Sequence, residues 1–194
     1  MQVSLYQQHV KRWSDCQECG LCEGRSRVVL AKGKVPADIV FCGEAPGFSE
    51  DSLGRPFEGP AGSLLESIVE QAMDVLYTTP ENRGWDSYRI AYTNLNACLP
   101  TDEDGRKAGQ PSAEEIVACG DRLREFVGLA NPKLIVAVGD LPDKWLPKLL
   151  PDFKGKFAHI KHPSAVLRLP RLQQTFDIKR CVIVLRNAVK EVFG

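Results

Sequence analysis

The sequence lacks several things. No apolar run in its 194 residues approaches the roughly 20 that a membrane-crossing helix needs, so no helical membrane span is expected. The opening stretch, MQVSLYQQHVKRW, has no basic start, apolar core and small-residue cleavage site in succession, so no secretory leader and an intracellular location are expected. No internal repeat and no low-complexity linker interrupts the chain, which at 43% apolar and 26% charged residues suits one domain with one sizeable core. An excess of charge of either sign is also missing, with 25 basic residues against 25 acidic. As a global quantity that zero argues against a polyanionic partner.

Locally the zero is a cancellation. Residues 1–143 hold 14 Lys and Arg against 22 Asp and Glu, whereas residues 144–194 hold 11 against 3, giving −8 and +8. A basic last quarter is compatible with a surface facing a polyanion, and equally with solvated faces of terminal helices. Seven cysteines, an odd number in a chain for which no leader is expected, make disulfide stapling a poor account of their presence.

Apolar patterning is plentiful. Residues 3–14 predict a short amphipathic helix on Leu5, Val10 and Trp13, and Ala61 to Leu76 predicts another with Leu64, Leu65, Ile68, Val69, Ala72 and Met73 on one face. Ser112 with Glu115 resembles a capping box opening a helix through Ile116, Val117, Leu123 and Phe126, and further helices are expected over 141–149 and 182–193. The runs ADIVFC ending at Cys42, RIAYT at 89–93, LIVAV at 134–138 and FAHI at 157–160 read as four strands. Strands alternating with helices imply a three-layer α/β/α sandwich around a mainly parallel four-stranded sheet, in which ligands bind beyond the carboxyl ends of the strands.

Glu44, Asn94 and His162 follow three of those strand ends. A carboxylate, an amide and an imidazole at one mouth supply an acid or base, a reader of donor and acceptor pattern, and a stabiliser of negative charge. Taken singly, each is an ordinary loop residue. Around them lie GEAPG at 43–47, then Glu50 and Asp51, GRPFEGPAGSLL at 54–65, and HPS at 162–164. Glycine and proline there let backbone approach a ligand and fix a loop, and Phe57 offers a ring for stacking or for the core.

GEAPG, Glu50-Asp51, GRPF with its following AG and paired leucines, TN at 93–94 ahead of a cysteine, HPS, and EGRSRVV at 23–29 occur in an order that resembles the uracil-DNA glycosylase superfamily. The resemblance is strongest to its family 4, the iron–sulfur-containing branch, and runs from about Cys16 to at least Arg168. It implies a DNA-repair glycosylase that flips uracil out of single- or double-stranded DNA and hydrolyses its glycosidic bond. It further implies a catalytic set of His162 on the uracil oxygen, Asn94 reading the uracil edge, and Glu44 and Glu50 positioning water or balancing the sugar cation. Phe57 would stack on the base, with Gly43 and Ala45 backbone around it. Ser164, Ala165, Val166 and Leu167 correspond to the DNA-contacting loop, with Arg168 and Arg171 as phosphate contacts.

Cys16 and Cys19 form a CxxC pair, and the family pattern supplies Cys98 and Cys119 as the other two ligands of a structural [4Fe–4S] cluster. Spacing does not separate that cluster from a four-thiolate zinc site, and Cys22 stands as a substitute ligand because CxxCxxC resembles the opening of a ferredoxin run. Cys42 and Cys181 read as small core residues. The stretch LPTDEDGRKAGQP at 99–111 is longer and more acidic than the family pattern. A subgroup of the superfamily traps uracil DNA through a histidine near this region; here the loop has Arg106 and Lys107, and the three histidines are His9, His159 and His162, which disfavours trapping. A monomer is expected, and the rival reading is a catalytically weak DNA-binding member acting as a replication partner.

Overall fold

The computed structural model of the chain describes residues 4–74, 88–101 and 108–194. Within them the strands are β1 (Ala31–Gly33), β2 (Ile39–Gly43), β3 (Ile90–Asn94), β4 (Leu134–Val138) and β5 (Lys156–Ile160), in the order β1-β3-β2-β4-β5. β3, β2, β4 and β5 are parallel neighbours, and β1 joins the edge antiparallel to β3. Five strands therefore replace the expected four. β1 escapes the sequence pattern because it is three residues long, carries a lysine and has no residue that is fully buried.

The helices are α1 (Leu5–Trp13), α2 (Phe48–Leu53), α3 (Pro60–Asp74), α4 (Ala113–Ala118), α5 (Gly120–Ala130), α6 (Asp140–Leu149), α7 (Pro163–Leu167) and α8 (Arg171–Phe193). Ser112 forms the predicted capping box with Glu115, but the helix it opens breaks at Cys119 into α4 and α5. α8 begins eleven residues before the expected Val182, because its first turns carry exposed residues such as Leu172 and Phe176 and give no apolar stripe to read. The expected Val75 and Leu76 end of α3, and Arg106 and Lys107 of the acidic loop, lie outside the described residues.

Pleating divides the core. Ile39 and Phe41 of β2, with Leu134, Val136 and Val138 of β4, pack against α3 and α8, while Val40, Cys42, Ile135 and Ala137 pack on the other face against α5 and α6. Each such fully buried Leu, Ile or Phe contributes about 1.5–3 kcal/mol relative to exposure, so β2 and β4, buried on both faces, are the fixed centre of the sandwich. Register then sets the mouth: Gly43 pairs with Asn94 and Val138 with Ile160, so the parallel strands end level. Among the described residues no helix is long and apolar enough to cross a membrane.

Candidate active site

At the carboxyl ends of β2, β3 and β5 lies a cleft of about 540 Å³ whose walls include Glu44, Ala45, Glu50, Phe57, Asn94, His162, Ser164, Ala165 and Arg168. Residues from four separate sequence motifs thus meet at one sheet edge. Gly43 sits beneath them, and a Cβ there would come within 2.4 Å of Asn94 Oδ1 and 2.8 Å of Phe57 Cζ. The glycine is what allows the amide and the ring to converge on the end of β2.

Phe57 is buried and holds a left-handed backbone at φ 55°, which costs a non-glycine residue energy and persists only when the surroundings impose it. Three neighbours impose it. Gly62 lies so close that a Cβ would collide with the Phe57 carbonyl, Tyr92 faces the ring at 5.8 Å, and Lys32 Nζ donates to the Phe57 carbonyl oxygen at 3.1 Å. Lys32 also pairs with Glu58 and Glu66 and lies over the Tyr92 ring at 5.3 Å. It comes from β1, the strand that sequence periodicity does not reveal, and no motif points to it.

The two glutamates differ. Glu50 Oε2 accepts the Gly47 N–H at 2.9 Å, so one of its oxygens is spent on the start of α2. Glu44 is half-buried; burial pushes its carboxyl above the usual range, and a side-chain hydrogen bond with Gln110 opposes the shift. Burial pushes Glu50 up as well, with its own and the Gly47 backbone N–H groups opposing. Asp51 is a loop anchor: its carboxylate accepts the Ser26 N–H at 2.9 and 3.0 Å, tying EGRSRVV to α2.

His162 caps α7. Its Nδ1 lies 3.2 Å from the Ser164 backbone N–H and 2.8 Å from Ser164 Oγ. A backbone N–H can only donate, so Nδ1 accepts, and the neutral ring carries its proton on Nε2. Burial, followed by the Arg168 guanidinium, holds the imidazole below its ordinary value, which favours this neutral form. The segment expected as a DNA-contacting loop is the short helix α7 and its exit: Val166 is buried, Leu167 is 40% exposed, and Arg168 and Arg171 are exposed.

Behind β3 a second, small cavity is walled by Cys16, Cys19, Cys98 and Cys119, with Arg25, Asn96 and Arg122. Cys22 is not among its walls; it sits in the 3-10 turn Gly20–Cys22, where its N–H donates to the Cys19 carbonyl. Cys42 and Cys181 belong to the two core faces. Burial pushes the Cys98 thiol up to about 12, with Arg25 opposing. Arg25 Nη1, Arg122 Nε and Asn96 Oδ1 are buried without a partner, so two cationic side chains offer unused donors at a cavity of four sulfurs. That donor set fits an anionic, thiolate-held group. No three His, Cys, Asp or Glu among the described residues converge tightly enough for a single metal ion.

Arg122 is the functional candidate that motif reading misses. It is only 2% exposed, and its Nη2 donates to the carbonyls of Asn94 and Leu95, each at 2.6 Å, while Nη1 reaches Thr93 Oγ1 at 3.0 Å. A signal was present: Arg122 falls within the buried face of α5 beside Leu123 and Phe126, where a cation needs partners.

Comparison with known proteins agrees with this geometry. The family model of the uracil DNA glycosylase superfamily matches residues 31–186. A type-4 uracil-DNA glycosylase of Pyrobaculum aerophilum is 33% identical over 84% of this chain and 85% of that protein, and one of Archaeoglobus fulgidus is 28% identical over 87% and 86%. The four motifs that meet at the sheet edge, and these matches over most of both lengths, place the chain in the uracil DNA glycosylase superfamily, with the type-4 enzymes.

Proposed function

We propose that this protein excises uracil from DNA by hydrolysing the N-glycosidic bond of a flipped deoxyuridine, leaving free uracil and an abasic sugar. The observation that carries the reading is the fixed tautomer of His162, a neutral ring whose Nε2–H is free to donate in the same cleft as Asn94 and Phe57. As the C1′–N1 bond breaks, its electron pair leaves on uracil and the sugar becomes cationic. Nε2–H of His162 stabilises the developing charge on the uracil oxygen, a contribution of about 3–4 kcal/mol for one oriented donor. Asn94 reads the polar edge of the base and Phe57 stacks on it.

Glu44 holds the attacking water and accepts its proton after addition to the sugar cation, while Glu50, engaged with Gly47, shapes the loop. Gly43 and Ala45 bring the loop backbone to the base. Ser164, Ala165, Leu167, Arg168 and Arg171 face the DNA. Exposed Leu167 is the side chain that fills the space left by the flipped base, whereas Val166 is fully buried and does not reach the DNA.

Cys16, Cys19, Cys98 and Cys119 would hold an iron–sulfur cluster. Four cysteines at one cavity, with unpartnered arginine nitrogens beside them, suit an anionic cluster held by four thiolates. When bound, the cluster serves as a structural cross-link from the segment after α1 to the exit of β3 and the α4–α5 junction.

The test incubates iron-replete protein with single- and double-stranded oligonucleotides carrying one uracil, and with free deoxyuridine, followed by alkaline cleavage of abasic sites and detection of free base. Cleavage of uracil DNA with no turnover of the nucleoside is expected. Intact oligonucleotide after incubation with iron-replete protein would refute the reading.

A further inference from the structure

We infer that Arg122 is a positioning residue that links the cysteine cavity to the GEAPG loop through two peptide units. The inference rests on the proposed uracil excision and on the cluster. Arg122 Nη2 donates to the carbonyl of Asn94, and the N–H of that same peptide unit, on Leu95, donates to the Gly43 carbonyl at 2.8 Å. It donates equally to the carbonyl of Leu95, and the N–H of that unit, on Asn96, donates to the Glu44 carbonyl at 3.1 Å. A cation on one end of a peptide group polarises the group and strengthens the hydrogen bond its N–H makes at the other end. One guanidinium therefore tightens two parallel links that fix Gly43 and Glu44, and with them the floor of the cleft.

The charge that drives the relay has no carboxylate partner among the described residues; its acceptors are two carbonyls and one hydroxyl. A buried cation left without a counter-charge is costly. Beside the Glu18 carboxylate, which also lines the cavity without forming an ion pair to Arg122, the anionic assembly the surroundings can supply is a set of metal-bound thiolates at the cavity that Arg122 itself lines, where its Nε is buried and unpartnered. Occupation of the cavity thus holds Arg122 in place, and Arg122 holds the base-reading edge of β3. This gives the cluster a bearing on the cleft without electron transfer.

Hydrogen exchange and the affinity for free uracil, measured on wild type, Arg122→Lys and Thr93→Val at matched iron content, test the relay. Thr93→Val keeps the volume and removes the Nη1 acceptor together with the hydroxyl's own bond to the Leu30 carbonyl at 2.9 Å, so if Arg122→Lys does not fold it decides the matter by whether Leu95 and Asn96 exchange faster than in wild type by more than Ala31, whose peptide unit loses that second bond. The Leu95 and Asn96 amides are expected to exchange about tenfold faster in either variant, and the uracil Kd to rise by a similar factor, as for loss of one charge-assisted hydrogen bond. β4, Leu134–Val138, should exchange as in wild type. Chelation of iron from the wild-type protein should accelerate the same two amides ahead of β4. Unchanged exchange at Leu95 and Asn96, or acceleration shared equally with β4, overturns the inference. A wild-type protein that binds neither iron nor uracil would instead remove the functional proposal, and the relay with it.

Discussion

His162 keeps its proton on Nε2 because Ser164 satisfies Nδ1, and it stays neutral because burial and Arg168 disfavour the cation. Protonation in acid would set Nδ1–H against the Ser164 N–H, so kcat should fall as pH drops through a His162 pKa that lies below the ordinary value of about 6.5. Linkage has the same sign: the folded state prefers the neutral ring, so this share of stability is intact above the unfolded pKa and is lost as pH falls through the folded one. Glu44, pushed up by burial, shapes the same acid limb. Arg168→Gln separates the two, because removing that cation raises the His162 pKa; the limb of kcat should move to higher pH in this variant, and a limb that stays in place would assign it to Glu44. Residue identities at the mouth were readable because glycine, proline, histidine and asparagine stand in ordered motifs. Lys32 and Arg122 were not, since both work by holding backbone carbonyls, a role that leaves no motif.

At the scale of elements, the left-handed Phe57 depends on a strand that periodicity could not show. β1 is short and sits on the sheet edge, yet it brings Lys32 to the Phe57 carbonyl and over Tyr92. Lys32→Met removes a charge-assisted hydrogen bond to that carbonyl, of a kind that contributes about 1.5–3 kcal/mol. Its expected signature is a roughly tenfold weaker inhibition by free uracil, partly restored in Lys32→Arg; a loss of melting temperature with inhibition unchanged would confine Lys32 to stability. Buried strands and the Ser112 cap were legible because burial on both faces and capping each write a pattern into sequence. The break at Cys119 and the early start of α8 were not, because the Ser112 cap and its apolar positions give no stop signal at Cys119, and the first turns of α8 carry exposed residues in place of an apolar stripe.

For the whole molecule, the charge division at residue 143 follows the architecture. The acidic first part contains Glu44, Glu50 and Asp51 of the loop after β2, and the basic last part contains α7 with Arg168 and the start of α8 with Arg171. Glu44 and Glu50 from the first part and Arg168 from the last line one cleft, so a chain with no net charge brings carboxylates and a cation to the same mouth. Composition alone could not show this, since only the level strand ends bring distant motifs together. The central claim is that His162 stabilises the departing base. Single-turnover release of uracil from a DNA oligonucleotide, compared between wild type and His162→Ala with DNA affinity measured in parallel, tests it most directly. The account predicts a rate about 10²–10³-fold slower in the variant with DNA binding nearly unchanged; equal rates in the two proteins would contradict it.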